Sequence, residues 1–246
     1  MFDLLLQSTP TSTLALLGFG FLIGLKHATE ADHLAAVSTM VVERRSVWAS
    51  ALVGGLWGLG HTISLFAAGI LVLILDFQIS ENTERWLEFA VGVMLILLGL
   101  NVLRKLISGG QMHFHSHEHG ERLHAHPHVH DHAEAAHPEI AHAKGQSPKA
   151  LLIGLVHGLA GSAGLMLVMI PTIPSKTVGL LYIVIFGIGS IGGMMLMSFL
   201  VGLPFHFTAF RFNRFNQILQ FAAGAVSVAL GLWIVYEKGF AEGLAV

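Results

Sequence analysis

The chain has 246 residues, 54% of them hydrophobic and 11% charged, with 28 glycines, no cysteine and a formal net charge of -2. Soluble domains carry about 25% charged residues, so this chain has too few to cover a water-facing surface, and its mean hydropathy of +0.70 agrees. The absence of cysteine excludes disulfides, thiolate metal sites and thiol redox chemistry, and the near-neutral charge offers no basic surface to nucleic acid.

The apolar residues gather into six runs of roughly 20 to 30 positions, each able to cross a hydrocarbon layer about 30 Å thick as a helix. The expected fold is therefore an all-α integral membrane protein with six transmembrane helices. The N-terminus lacks the basic region and cleavage site of a removable signal, so Met1 is expected in the mature chain.

The first span, Thr13 to Val42, contains Lys26, His27, Glu30, Asp32 and His33 near its middle. Leu14 to Leu25 makes only about 18 Å of helix, so the span has to run on through this cluster, which then sits inside the bilayer. Ionisable groups are costly there and call for a partner or an ion. At about 100° per residue, His27, Glu30 and His33 share one helix face while Asp32 falls on another. Either the helix breaks around Ala31, or Asp32 serves behind a ligand or against a neighbouring helix.

The second span, Val47 to Leu75, carries His61 within Gly58-Leu59-Gly60-His61-Thr62, and the third runs from Trp86 to Leu106. A polar segment follows in which residues 113–142 hold eleven of the sixteen histidines: His113, His115, His117, His119, His124, His126, His128, His130, His132, His137 and His142. Alternate histidines among Ala, Glu and Pro cannot build a core, so this linker is expected to be disordered and to act as a metal collector, buffer or sensor. Its affinity should fall as the imidazoles protonate below about pH 6.5.

The fourth span, Ala150 to Pro171, carries His157, and the fifth and sixth run from Thr177 to Leu203 and from Phe215 to Tyr236. Gly54 with Gly58 and Gly189 with Gly193 read as packing residues that let helices approach closely. Gly158, Gly161 and Gly164 thin the helix beside His157, where it is expected to unwind and offer carbonyls to an ion. Met195 is expected in the core, as a gap-filler rather than a ligand.

Segments of the first half recur about 130 residues later. Ile23-Gly24-Leu25-Lys26-His27 matches Ile153-Gly154-Leu155-Val156-His157, and Phe89-Ala90-Val91-Gly92 matches Phe221-Ala222-Ala223-Gly224. A looser glycine match sets His61 opposite Met195. Three helices repeated twice run in opposite senses, so the expected organisation is residues 1–107 and 150–246 as inverted three-helix repeats joined by the histidine-rich loop 108–149. Lys and Arg on alternate connections divide nine against three, with Arg44, Arg104, Lys105 and Lys149 on the richer side. Positive residues collect in cytoplasmic loops, which puts the loop in the cytoplasm and both termini outside an inner membrane.

Imidazole and carboxylate without thiolate suit Ni²⁺, Co²⁺ or Zn²⁺ rather than Cu(I). The candidate metal ligands are His27, Glu30, Asp32, His33, His61 and His157. The run His27-Ala28-Thr29-Glu30-Ala31-Asp32-His33 resembles the H-x4-D-H signature of the NiCoT-type nickel/cobalt transporter superfamily, and Leu59-Gly60-His61-Thr62 resembles its L-G-H-S/T segment. His157-Gly158-Leu159-Ala160-Gly161 is similar to the shorter branch of urease-accessory and nickel-permease membrane proteins. Longer members have eight helices, an Asp at the place of Glu30 and an Asp-Asn pair where this chain has Ser38-Thr39.

The resemblance implies a permease for Ni²⁺ or Co²⁺, working in uptake, with His27, Asp32 and His33 as motif residues and His61 on the pathway. It implies the metal as substrate rather than prosthetic group, no enzymatic activity, and a cytosolic nickel chaperone or a urease or hydrogenase maturation protein as partner. The chain has no G-x-x-x-x-G-K-[ST] motif, so energy would come from the membrane potential, a co-ion or a partner chain. The rival readings are metal efflux with the loop as collector, a membrane histidine-iron hydroxylase or desaturase, and a nontransporting urease-accessory scaffold. For the enzyme, the chain lacks an H-x-x-H-H cluster.

Overall fold

The computed structural model describes residues 10–42, 44, 46–77, 79–108, 113–119, 122–128, 140–160 and 175–241. The first predicted span is two helices, α1 (Pro10–His27) and α2 (Ala31–Val41), bent by 56° across a three-residue break. Two short backbone bonds close α1, from Thr29 N to the Lys26 carbonyl (2.8 Å) and from Glu30 N to the His27 carbonyl (3.1 Å). Glu30 then turns extended, at φ -66° and ψ 151°, and α2 restarts with Leu34 N donating to the Glu30 carbonyl at 2.9 Å. Asp32 occupies the first turn of α2, where the helix dipole favours a negative charge.

Helix α3 (Val47–Leu73) starts at Ser46, whose hydroxyl accepts from Ala49 N, and α4 (Glu81–Ile107) starts at Ser80, whose hydroxyl accepts from Thr83 N. Each satisfies one of the orphan donors of a first turn. In α4, Glu81 and Glu84 at the start and Arg104 and Lys105 at the end complement the helix dipole. After it come strands β1 (His113–His119) and β2 (Arg122–His128), then α5 (Ile140–Gly158), α6 (Lys176–Arg211), α7 (Asn213–Tyr236) and a π-helical turn, Glu237–Ala241.

Among the described residues, helices α3, α4, α6 and α7 are each long and apolar enough to cross a membrane, and the bent pair α1–α2 counted as one span makes five. Of the fourth predicted span, α5 supplies the part up to Gly158, and residues 161–171 lie outside the described residues. Helix α6 extends beyond its expected end at Leu203, through Pro204 to Arg211. There Thr208 Oγ1 donates to the Pro204 carbonyl at 2.6 Å and Asn216 Nδ2 to the Phe205 carbonyl at 3.0 Å, so polar side chains serve the backbone around the proline.

Within the linker expected to be disordered, β1 and β2 pair antiparallel, with His113 opposite His128 and His117 opposite His124. Alternation at every second residue is the period of a strand. His130, His132 and His137 lie outside the described residues, as do Gly161 and Gly164.

Two crossings position the interior: α1 lies against α6, and α5 lies against α3. They are built alike. A Cβ added to Gly24 in α1 would run into the Phe186 carbonyl and Ser190 N, and one added to Gly154 in α5 would run into the Trp57 carbonyl and His61 N. In return, Gly189 meets the Phe21 carbonyl and Gly60 meets the Leu151 carbonyl. Helices α4 and α7 meet the same way, Gly92 against Gly231 and Gly99 against Gly224. In these reciprocal contacts the counterpart of His61 is Ser190, not the Met195 that the looser glycine match suggests. Met195 is not a core residue either: it is 40% exposed, alongside Gly55. Gly54, Gly58, Gly189 and Gly193 all lie against neighbouring helices, as their spacing predicts.

Helix α2 fills the centre, where Ala36, Val37 and Val41 pack with Trp57, Leu95 and Met194. Large apolar side chains such as Phe19, Trp48, Leu97, Leu152, Leu196 and Trp233 point outward, while His27, His33, His61 and His157 are buried. That distribution inverts the pattern of a water-soluble domain and suits a lipid surround.

Replacing Gly24 or Gly154 with Val is expected to destabilise the bundle by about 1–3 kcal/mol, the usual cost of overpacking. Gly18, which has nothing within 4 Å of an added Cβ, serves as the control: Gly18→Ala should leave the unfolding temperature in detergent unchanged or raise it.

Candidate metal centre

The break between α1 and α2 brings four histidines from four helices into one group: His27 ends α1, His33 lies in the first turn of α2, His61 stands at the middle of α3 and His157 lies in the last turn of α5. Their rings meet edge-on or tilted, as a closed set. The His27–His33 and His33–His157 centroids are 4.2 Å apart, His27–His61 5.0 Å and His61–His157 5.9 Å. Trp57, one turn before His61, covers His33 at 5.3 Å and His157 at 5.5 Å, and Phe186 covers His27 at 5.6 Å.

The carboxylates decide which ring nitrogens remain open. Asp32 Oδ1 lies 2.9 Å from both the backbone N and Nδ1 of His33, and Asp32 Oδ2 lies 2.9 Å from Nε2 of His157. An ionised carboxylate only accepts, so these contacts place the proton of His33 on Nδ1 and that of His157 on Nε2. Glu30 does the same for His27, with Oε1 3.0 Å from Nδ1, and its carboxylate is therefore not spent on capping α2. In consequence the Nε2 lone pair of His33 is left without a partner, while that of His27 is turned toward Nε2 of His61. A carboxylate holding the far nitrogen of an imidazole is the usual support of a metal-binding histidine.

His27 Nε2 and His61 Nε2 are 3.1 Å apart, close to the roughly 3.0–3.4 Å between neighbouring ligands that each lie about 2.1 Å from one ion. Among the described residues, two sets of three can offer ligand atoms within 4.8 Å of one another: His27, His33 and His61, and Asp32, His33 and His157. Nε2 of His33, Nδ1 of His61 and Nδ1 of His157 are buried without a hydrogen-bond partner, as is the indole nitrogen of Trp57. Buried polar atoms normally find partners, so an unfilled set concentrated here marks a place prepared for a ligand.

All six residues singled out from the sequence meet here. Both alternatives for Asp32 are realised, because the helix breaks and Asp32 also reaches a neighbouring helix. The histidines are sealed, whereas the carboxylates are partly open, with Asp32 29% and Glu30 48% exposed. Gly158 ends α5 tight against Ser64 and the His61 carbonyl, so it serves the approach of α5 to α3. Sequence reasoning missed Trp57 and Phe186, which wall the cluster. The only signal for Trp57 was its place one turn before His61.

A helical bundle with an apolar exterior and a buried set of imidazoles backed by carboxylates is a membrane protein with a candidate metal site in its interior. Its sequence is 37% identical over 231 residues to the urease accessory protein UreH of Bacillus sp. (strain TB-90), covering 94% of this chain and 95% of that one. The chain belongs to the UreH family of urease accessory proteins, the short branch to which the histidine motifs point. It is also 26% identical to the chloroplast proteins FOR GROWTH AND FERTILITY 2 and 1 of Arabidopsis thaliana, over 92% of its own length but only 57% and 60% of theirs. No protein-family model and no solved structure matches it.

Binding to the folded state alone raises the unfolding temperature, so Ni²⁺ should stabilise the protein. Asp32→Asn removes the acceptor that sets two imidazoles, and the nickel concentration needed for half the temperature shift is expected to rise about 10- to 100-fold. A thermal-unfolding titration in detergent measures both effects.

Proposed function

We propose that the protein is a secondary transporter, not an enzyme, that moves Ni²⁺ or Co²⁺ across the inner membrane in the direction of uptake. The observation that carries this reading is the sealed group of four histidines held by two carboxylates at a helix break inside an apolar bundle. Such groups are expensive in lipid unless something uses them, and these present unpaired nitrogens to a shared space. Kinship with a protein named for urease accessory work supports nickel as the metal, because the chemistry of the donor set by itself also admits cobalt and zinc.

The reciprocal contacts of Gly24 with Phe186 and Gly154 with Trp57 support residues 1–107 and 150–246 as inverted three-helix repeats. His61 lies at the middle of α3, whose 27 residues extend about 40 Å, which supports a binding site near the bilayer midplane. In this mechanism the ion sheds water at the open carboxylates Glu30 and Asp32, passes to His27, His33, His61 and His157, and leaves as the two halves rock about the cluster. The carboxylates offset the ion's charge and neutral imidazoles supply affinity. With the loop in the cytoplasm and both termini outside, the histidines of residues 113–142 would retain incoming metal and pass it to a cytosolic maturation protein.

The test is nickel entry into liposomes containing the protein, with cobalt and zinc compared and with and without a pH gradient. His33→Ala should lower the rate at least tenfold while the protein still inserts, and an unchanged rate overturns the central site. In cells, deleting the gene should lower nickel content. A higher content with nickel sensitivity would mean efflux. Replacing the loop histidines with Asn should reduce the nickel retained by cells yet leave liposome flux within about twofold, and total loss of flux would put the loop in the pathway.

A further inference from the structure

The two ligand sets share one residue. His33 belongs both with His27 and His61 and with Asp32 and His157, and its two ring nitrogens differ: Nδ1 is held by Asp32 at 2.9 Å and Nε2 has no partner. The sets draw on different helices, the first joining α1 and α2 to α3, the second joining α2 to α5. We infer that His33 is the common ligand of two adjacent metal subsites, which a single divalent cation occupies in turn, bound through Nδ1 of His33 with Asp32 and His157, and then through Nε2 of His33 with His27 and His61. This inference rests on the transport reading for its purpose, and on geometry alone for its existence.

Three observations carry it. First, the donors do not make one set: among the described residues the ligand atoms that lie within 4.8 Å of one another form two groups of three and not one group of five. Second, each of the two sets contains a histidine with one ring nitrogen buried and unpartnered besides His33 itself, His61 through Nδ1 and His157 through Nδ1, so both sets hold imidazoles whose donors and acceptors the protein alone does not use up. Third, Asp32 bonds the two histidines of the second set, at 2.9 Å each, so that set is already assembled and an ion would replace two protons already lying between its atoms.

Occupancy is sequential because the two positions lie on opposite edges of one imidazole, and two divalent charges that close repel strongly. The proton count is unchanged by the transfer. Each ring keeps one proton: His33 carries it on Nε2 while Nδ1 binds the metal and on Nδ1 while Nε2 binds, and His157 correspondingly carries its proton on Nδ1 while its Nε2 binds the metal and on Nε2 once the metal has passed on. The metal's bond to one nitrogen of His33 breaks as its bond to the other forms and the proton takes the vacated nitrogen, so the ion is handed between donors of one cluster instead of crossing an apolar gap. Asp32, 29% exposed, places its subsite nearer to an opening than the fully buried His61.

The experiment uses the full-length chain with the loop histidines replaced by Asn, so that nickel reports on the interior. One equivalent of Ni²⁺ is added to His61→Ala, His157→Ala and His33→Ala proteins, and X-ray absorption counts imidazole ligands while equilibrium dialysis measures affinity. Two subsites predict that His157→Ala binds nickel through three imidazoles and His61→Ala through two imidazoles and a carboxylate, each within about tenfold of the unsubstituted affinity, whereas His33→Ala loses at least 100-fold. Flux should fall at least tenfold in all three. If His61→Ala and His157→Ala show the same ligand set, or if His33→Ala costs no more than either, the metal has one centre and the inference is overturned. Where a substitution to Ala prevents folding, His157→Gln and His61→Gln keep a polar side chain and are read the same way. If the ligand counts come out as expected while the unsubstituted protein moves no metal, the shared ligand stands and the transport reading falls.

Discussion

Asp32 takes His33 with one oxygen and His157 with the other, and the arrangement of the interior depends on that bridge. It ties the start of α2 to the end of α5, joining two parts of the chain more than a hundred residues apart. It also fixes the tautomers of both rings, and so which lone pairs are left for a cation. The bridge needs the break at Ala28–Glu30. On a continuous helix Asp32 would point away from His27 and His33, and the break re-aims it. Glu30, extended between the helices, uses its freedom to hold His27.

The surrounding helices come close enough to seal this group because glycine backbones meet at the crossings. Gly24 and Gly154 stand three residues before His27 and His157, so the positions that permit close approach also set the depth of the histidines. Close packing and ligand placement are thus one feature of the sequence, written twice. The two copies are unequal in chemistry. His27 is followed by an acidic helix start, whereas His157 is followed by Gly158 against Ser64, and the counterpart of His61 is Ser190, buried and unpartnered. The donors therefore come mainly from the first half, and the second half contributes His157 and a wall that includes Phe186.

Membership of the UreH family and the metal-binding character of the site reinforce each other without being the same argument. Kinship speaks of urease and hence of nickel. The geometry speaks of nitrogen and oxygen donors around a space for a small cation.

Much of this was legible in the residues. Apolar runs longer than a bilayer is thick leave the backbone little choice but helix, and ionisable residues inside such runs stand out, which is why His27, Glu30, Asp32, His33, His61 and His157, which the fold brings together, were all singled out from the sequence. The repeat at Gly24 and Gly154 was visible too, because glycine at a close crossing has no substitute. What the sequence left open was the choice between a broken helix and a second-layer role for Asp32, the correspondence of His61 with Ser190 rather than Met195, the pairing of the loop strands, and the walls made by Trp57 and Phe186. Each of these depends on where a distant segment lies. Periodicity records which face of a helix is apolar, but the direction of a carboxylate after a 56° bend is set by the helices packed around it, and only the tertiary structure contains them.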